Sequence, residues 1–169
     1  ADVNHLGDSS PDIVKRLFSY HAIILAKNDV GRVNLYRLVS ESHLTYFHKT
    51  PRIPKSLLRN HREGLMLCSA RELYRAVRAG KSEEELLKIA AFYDYLEIQP
   101  TGNNMFMIHS DKIENVNSVE DIQNMNRKIV RLGEQFNKPV LASCDVHFLD
   151  PADEVYRRII MAGKGFKDA

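Results

Sequence analysis

PVLASCDVHFLDP, residues Pro139–Pro151, is the stretch from which the rest of the chain is read. Its first half, PVLASC (Pro139–Cys144), is a compact apolar run that reads as a buried strand. Asp145 and His147 follow, and Asp150-Pro151 opens a helix that runs toward Met161, with proline at the first helical position. A strand that passes through a carboxylate and an imidazole into a helix is a unit of a largely parallel α/β fold, whose sites collect at the carboxyl ends of strands. In an extended segment, residues two apart point the same way, so Asp145 and His147 can address one point. That pair suits a divalent transition metal such as zinc or manganese, or activation of water by one. The alternative is a capping aspartate and a surface histidine, and D-x-H is too short a motif to choose between them.

Further strands lie upstream. YHAIILAK (Tyr20–Lys27), GLMLCSA (Gly64–Ala70) and YLEIQP (Tyr95–Pro100) are apolar runs that read as buried strands, so four alternate with helices. Ser10-Pro11 reads as a cap and first turn, with a short helix over 12–18. Val33, Leu35, Tyr36, Leu38, Val39 and Leu44 recur at helical spacing, and TPRIPKS (Thr50–Ser56) breaks that helix with two prolines. A helix is expected over 71–78. Ser82 with Glu85 makes a capping box for the next, which ends near Phe92, and Ser118 with Asp121 starts a long helix to about Phe136. TGNN (Thr101–Asn104) reads as a turn.

The chain has 169 residues, enough for one domain, with 44% hydrophobic and 27% charged side chains, so it can bury a core and is neither disordered nor fibrous. Against 22 acidic side chains stand 24 basic ones; the net charge of +2 gives no global pull toward nucleic acid. No apolar run approaches the ~18 residues of a membrane span, and ADVNHLGDSSPD is not a signal peptide. Cys68 and Cys144 form no CxxC or paired framework, which favours a reduced, cytoplasmic setting; both read as small core hydrophobes.

His21 stands in an otherwise apolar run, where a histidine is more often a satisfied core residue than a ligand. Glu97 faces opposite to Leu96 and Ile98 and reads as an ion-pair partner or a solvated strand face before a ligating carboxylate. His43, His48, His61, Arg52, Lys55, Arg59 and Arg62 make a basic stretch with Tyr46 and Phe47 beside it, fit to contact phosphates but read first as a solvated loop. There is no phosphate-binding glycine loop, GxSxG or HExxH.

Several strings together say more. YHAIILAKNDVGRVNLYRLVSESHLTYF, TPRIPKSLL, REGLMLCSA, YDYLEIQPTGNN and ASCDVHFLDPADEVYRRIIMAGKGF closely resemble the PHP (polymerase and histidinol phosphatase) domain of bacterial replicative DNA polymerases, nearest the PolC-type DNA polymerase III alpha subunit. The resemblance runs from about Leu6 to the last residue. It implies a distorted (β/α) barrel with mainly parallel strands and a metal cluster at their carboxyl ends. His21 is then a ligand, and Asp145 and His147 are the last two ligands, holding zinc or manganese.

The family's first ligands, an H-x-H pair among them, come from an N-terminal half, and in the PolC type a 3′–5′ exonuclease is inserted within the domain. The resemblance therefore implies that residues 1–19 are a linker and short helix after that insertion, and 20–169 the C-terminal portion of the PHP domain. Between Ala70 and Arg71 the family usually reads S-A-C-E-A-G-E-L where this chain reads SARELY, so a cysteine ligand is either deleted or left out of the sequence as it stands; the second is preferred, because deletion at a strand's end would shift the following helix.

The resemblance further implies a parent polymerase that adds nucleotides with magnesium in a palm domain outside this chain. Its partners would be DNA, the exonuclease and palm domains, the sliding clamp and replisome proteins, with no membrane. The PHP segment itself would be mainly structural, with vestigial 3′–5′ exonuclease or phosphoesterase chemistry. Two other readings stand beside it: a stand-alone metal-dependent phosphoesterase similar to histidinol phosphatase, and a metal-free interaction module.

Overall fold

The computed structural model describes residues 11–110 and 113–165. In chain order they form α1 (Pro11–Arg16), β1 (Ile23–Ala26), α2 (Asp29–Leu44), α3 (Lys55–Asn60), β2 (Leu65–Cys68), α4 (Ala70–Arg78), α5 (Glu83–Phe92), β3 (Leu96–Ile98), α6 (Val119–Phe136), β4 (Val140–Ala142) and α7 (Glu154–Gly163). The fold is mixed α/β. Among the described residues no helix is long and apolar enough to cross a membrane. The expected cap at Ser10 and the linker before it lie outside the described residues.

Local signals set most helix ends. The Asn28 side chain accepts from Gly31 N at 2.9 Å and starts α2 several residues before the apolar periodicity begins. Ser82 and Glu85 form the expected capping box, and Ser118 Oγ accepts from Asp121 N at 3.2 Å. Asn137 closes α6 in the left-handed region at φ 49°, a place where asparagine is tolerated. Two elements were not anticipated: α3, one turn and a half after Pro54, and a 3₁₀ segment over Thr101–Met107 in place of a simple turn.

The strands form an open row. β3 and β4 pair in parallel, Leu96 opposite Val140 and Ile98 opposite Ala142, and β2 meets β3 through one parallel bridge, Cys68 to Tyr95. β1, however, runs antiparallel to β2, with Ile23 opposite Cys68 and Ala26 opposite Leu65. This departs from the expectation of parallel strands, and the connection explains it. A parallel crossover needs one helix to return the chain to the starting edge. Here α2 makes that return, and 45–60 with α3 lead the chain back to the edge where β1 ended. Lys27 N then donates to Gly64 O at 2.8 Å, and Asn34 Nδ2 to Glu63 O at 3.0 Å.

α4 and α6 pack on β3, α5 packs on α4 and α6, α2 packs on β1 and β2, and the fully buried Leu67, Leu73, Leu86, Leu96, Ile122 and Ile129 make the core. Burial at the row's two ends is the opposite of what the apolar runs suggested. Ile23 is 43% exposed, Leu25 48% and Leu141 51%, because β1 and β4 are outer strands with a face that no described element covers. β2 passes to α4 through Ser69 alone, and Ala70 takes φ 35°, a strained value for a residue with a Cβ.

Candidate metal centre

β4 ends at Ala142, and one more ladder bond, Ser143 N to Ile98 O at 3.0 Å, carries the pairing to the site loop. Asn103 Nδ2 in the 3₁₀ segment donates to Cys144 O at 2.7 Å and anchors that loop from across the row. Asp145 then adopts φ 49°, left-handed for a non-glycine residue. That turn, rather than strand alternation, brings its carboxylate to the imidazole two residues on: Asp145 Oδ2 and His147 Nε2 lie 3.4 Å apart. Both side chains are about half exposed. Cys144 is exposed as well, which corrects its reading as a core residue, because β4 stops before it.

Asp145 and His147 share a concavity of about 410 Å³ with Asn103, Phe148, Arg157 and Arg158. Arg158 is engaged by Glu154, Nε to Oε1 at 3.0 Å and Nη2 to Oε2 at 2.6 Å. Arg157 is half-buried and makes no hydrogen bond or ion pair among the described residues.

His21 is exposed, so the reading of a satisfied core histidine does not hold. The antiparallel course of β1 has a consequence for it. Since Ile23 faces Cys68, and Cys68 bridges Tyr95 just before β3, the start of β1 lies beside the end of β2 and level with the beginnings of β3 and β4, short of the ends that lead to Asp145 and His147. Among the described residues no three His, Cys, Asp or Glu side chains converge as a metal-holding group, so the structure joins Asp145 to His147 and does not bring His21 to them.

A row of polar groups links the end of β2, β3 and the residue after β4. Glu97 is buried; it accepts from Ser143 Oγ and, at 3.6 Å, from Cys68 Sγ, with Gln99 Nε2 at 3.4 Å. Glu97 is thus not a solvated residue, and among the described residues it has no ion-pair partner and its hydrogen-bond neighbours are neutral. Burial, and then the Glu97 carboxylate, push the Cys68 thiol up to about 11, so Cys68 stays a thiol. Alternation along YLEIQ placed Glu97 opposite Leu96; nothing local announced Cys68 and Ser143 from two other strands.

The basic stretch divides. His43 stacks on Phe47 at 6.3 Å between ring centroids, Arg52 Nη1 donates to Leu17 O at 2.6 Å, and Lys55, Arg59 and Arg62 gather around Phe92 at the end of α5.

The PHP domain family profile matches residues 4–101, more than half of the chain. Relatives extend the likeness through the Asp145–His147 loop. The chain is 55% identical over 159 residues to the DNA polymerase III PolC-type of Clostridium perfringens, covering 92% of this chain and 11% of that protein. Against the Oceanobacillus iheyensis protein of the same name it is 37% identical over 164 residues (95% and 11%), and against that of Bacillus subtilis 41% over 149 residues (86% and 10%). The chain thus spans only about a tenth of the length of these relatives. With its profile match, its mixed α/β row and its relatives in agreement, this chain belongs to the PHP domain family.

Proposed function

We propose that the chain is the metal-binding PHP segment of a replicative DNA polymerase of the PolC type, and that its main work there is structural. The observation that carries the metal reading is the Asp145–His147 pair at the end of β4. Two donors each ~2.0–2.2 Å from a tetrahedral ion stand ~3.3–3.6 Å apart; the 3.4 Å between Asp145 Oδ2 and His147 Nε2 fits two positions of one zinc or manganese ion. His21, just before β1, is the third donor of the proposed set. Ligands from distant chain segments, tied by one ion, would hold the fold together. The uncovered faces of β1 and β4 support a domain completed by another segment of the parent, residues 20–169 being the portion that follows an inserted exonuclease. Polymerisation with magnesium, and contact with DNA, clamp and replisome proteins, belong in this reading to the parent, a cytoplasmic polymerase.

One observation favours a second, catalytic reading. Arg157 lines the Asp145–His147 concavity without a partner among the described residues, and a guanidinium there is placed to take a phosphoryl oxygen. When bound, the ion would supply Lewis-acid polarisation of a phosphodiester and activation of water.

The test is the metal content of the full-length parent, purified without chelator, beside an Asp145→Ala, His147→Ala double variant. Zinc or manganese in the first and not the second is the expected result, and nuclease assays on both then separate the structural from the catalytic reading. No metal in either protein would leave a domain that keeps the residues without the chemistry, and would overturn the proposal.

A further inference from the structure

Glu97 is the middle residue of β3, its side chain is buried, and among the described residues neutral donors alone meet its charge. Oε1 accepts from Ser143 Oγ and, at 3.4 Å, from Gln99 Nε2, while Oε2 accepts from Cys68 Sγ at 3.6 Å. A carboxylate taken out of water without a cation costs stability, and an apolar side chain of the same size fills a core strand at less cost. Packing therefore does not account for a glutamate here. Of its three donors the thiol is weak and the amide distant, so the Ser143 hydroxyl, bonded to an ionised acceptor, makes the firmest contact.

Ser143 is the first residue past β4 and stands two before Asp145. Its N–H donates to Ile98 O at 3.0 Å and its hydroxyl to Glu97, so β3 holds it twice. Cys144 is held through its carbonyl, which accepts from Asn103 Nδ2 at 2.7 Å. Asn103 is exposed, whereas Ser143 is half-buried and Glu97 buried, so water competes less for the second of these side-chain anchors. Directly after them Asp145 takes φ 49°, a conformation that a residue with a Cβ keeps only where its surroundings over-determine it. That turn sets Asp145 Oδ2 3.4 Å from His147 Nε2, and both side chains are about half exposed, so packing does little to fix the pair. The anchors of the loop decide whether the two donors keep their separation.

We propose that Glu97 is a positioning residue for the Asp145–His147 pair, acting through the Ser143 hydroxyl to hold the loop in the turn that sets both donors for one divalent ion. The inference rests on the metal reading above and deepens it. Both Glu97 oxygens are taken by protein donors, so Glu97 acts on the ion only through the loop.

The test is the zinc affinity of the full-length parent polymerase, measured by competition with a chelator. Zinc retained by the Asp145→Ala, His147→Ala variant is subtracted as binding elsewhere. Ser143→Ala removes the hydroxyl and leaves both donors, and is expected to weaken zinc binding about tenfold, the lower end of what loss of such a supporting bond costs. Glu97→Met fills the same space without an acceptor and is expected to lose a similar factor. The Glu97→Met, Ser143→Ala double variant is expected to lose about tenfold again in total, rather than about a hundredfold, because both changes break one bond. Proteolysis of the chelator-treated single variants is expected to run at the wild-type rate, which a merely structural role for Glu97 would not allow. Wild-type affinity in Ser143→Ala, losses that multiply in the double variant, or faster proteolysis of both metal-free single variants overturns the proposal. A wild-type parent that holds no more zinc than the Asp145→Ala, His147→Ala variant overturns the metal reading itself, and this inference with it.

Discussion

Cys68 shows what burial does to one ionisable group. Its side chain is fully buried beside the Glu97 carboxylate, and its thiol is pushed from the ordinary 9.0 up to about 11. A folded value above the unfolded one means that the native state holds the proton more tightly. The thiol therefore contributes stability in full below about pH 9 and loses it as the pH rises toward 11. Alkylation of the folded parent protein gives the measurement. Cys144, exposed beyond β4, is expected to react at about pH 8, whereas Cys68 stays unlabelled until the pH approaches its raised value. Equal labelling of the two at about pH 8 would contradict this placement. The type of residue was legible in LMLC, which read as a core strand. The carboxylate beside the thiol was not, because β2 and β3 meet only after α4 and α5 have been laid down between them.

At the scale of elements, a backbone contact fixes how α2 packs on the β1–β2 connection. A Cβ on Gly31 would stand 1.8 Å from Gly64 O and 2.5 Å from its carbonyl carbon, and Gly64 itself adopts φ 70°. Rigid backbone on both sides leaves no room to adjust. Gly31→Ala is expected to destabilise the domain by about 3 kcal/mol or more, read as a lower denaturant midpoint of the parent or as faster proteolysis near β1. A wild-type midpoint would mean that α2 does not approach this closely. Helix ends such as Ser82–Glu85 and Ser118–Asp121 could be read from sequence because each cap is a bond across three residues. α3 could not, being too short for periodicity to register.

For the molecule as a whole, large apolar side chains remain in solvent at both ends of the strand row. Ile23 and Leu25 on β1, and Tyr156, Ile159 and Ile160 on α7, are exposed, the last three at 64%, 64% and 58%. Such surface, together with an unpaired edge on β1, invites association. The 169-residue chain by itself is therefore expected not to melt as a soluble, cooperative unit. Circular dichroism of the isolated chain, with its oligomeric state, checks this, and a monomer with one sharp thermal transition would refute it.

Periodicity and capping are local properties, and through them the residue order alone was enough to settle the number of strands, most helices and the buried β2 and β3. Pairing direction and cover are not local. Whether β1 ran with or against β2 depended on how 45–60 turned the chain back, and that choice put His21 beside the end of β2. In the same way Lys55, Arg59 and Arg62 found Phe92 rather than the nearby Tyr46 and Phe47, because α3 packs against the end of α5. Contacts between residues far apart in the chain exist only once the core has closed, and no short window of sequence contains them.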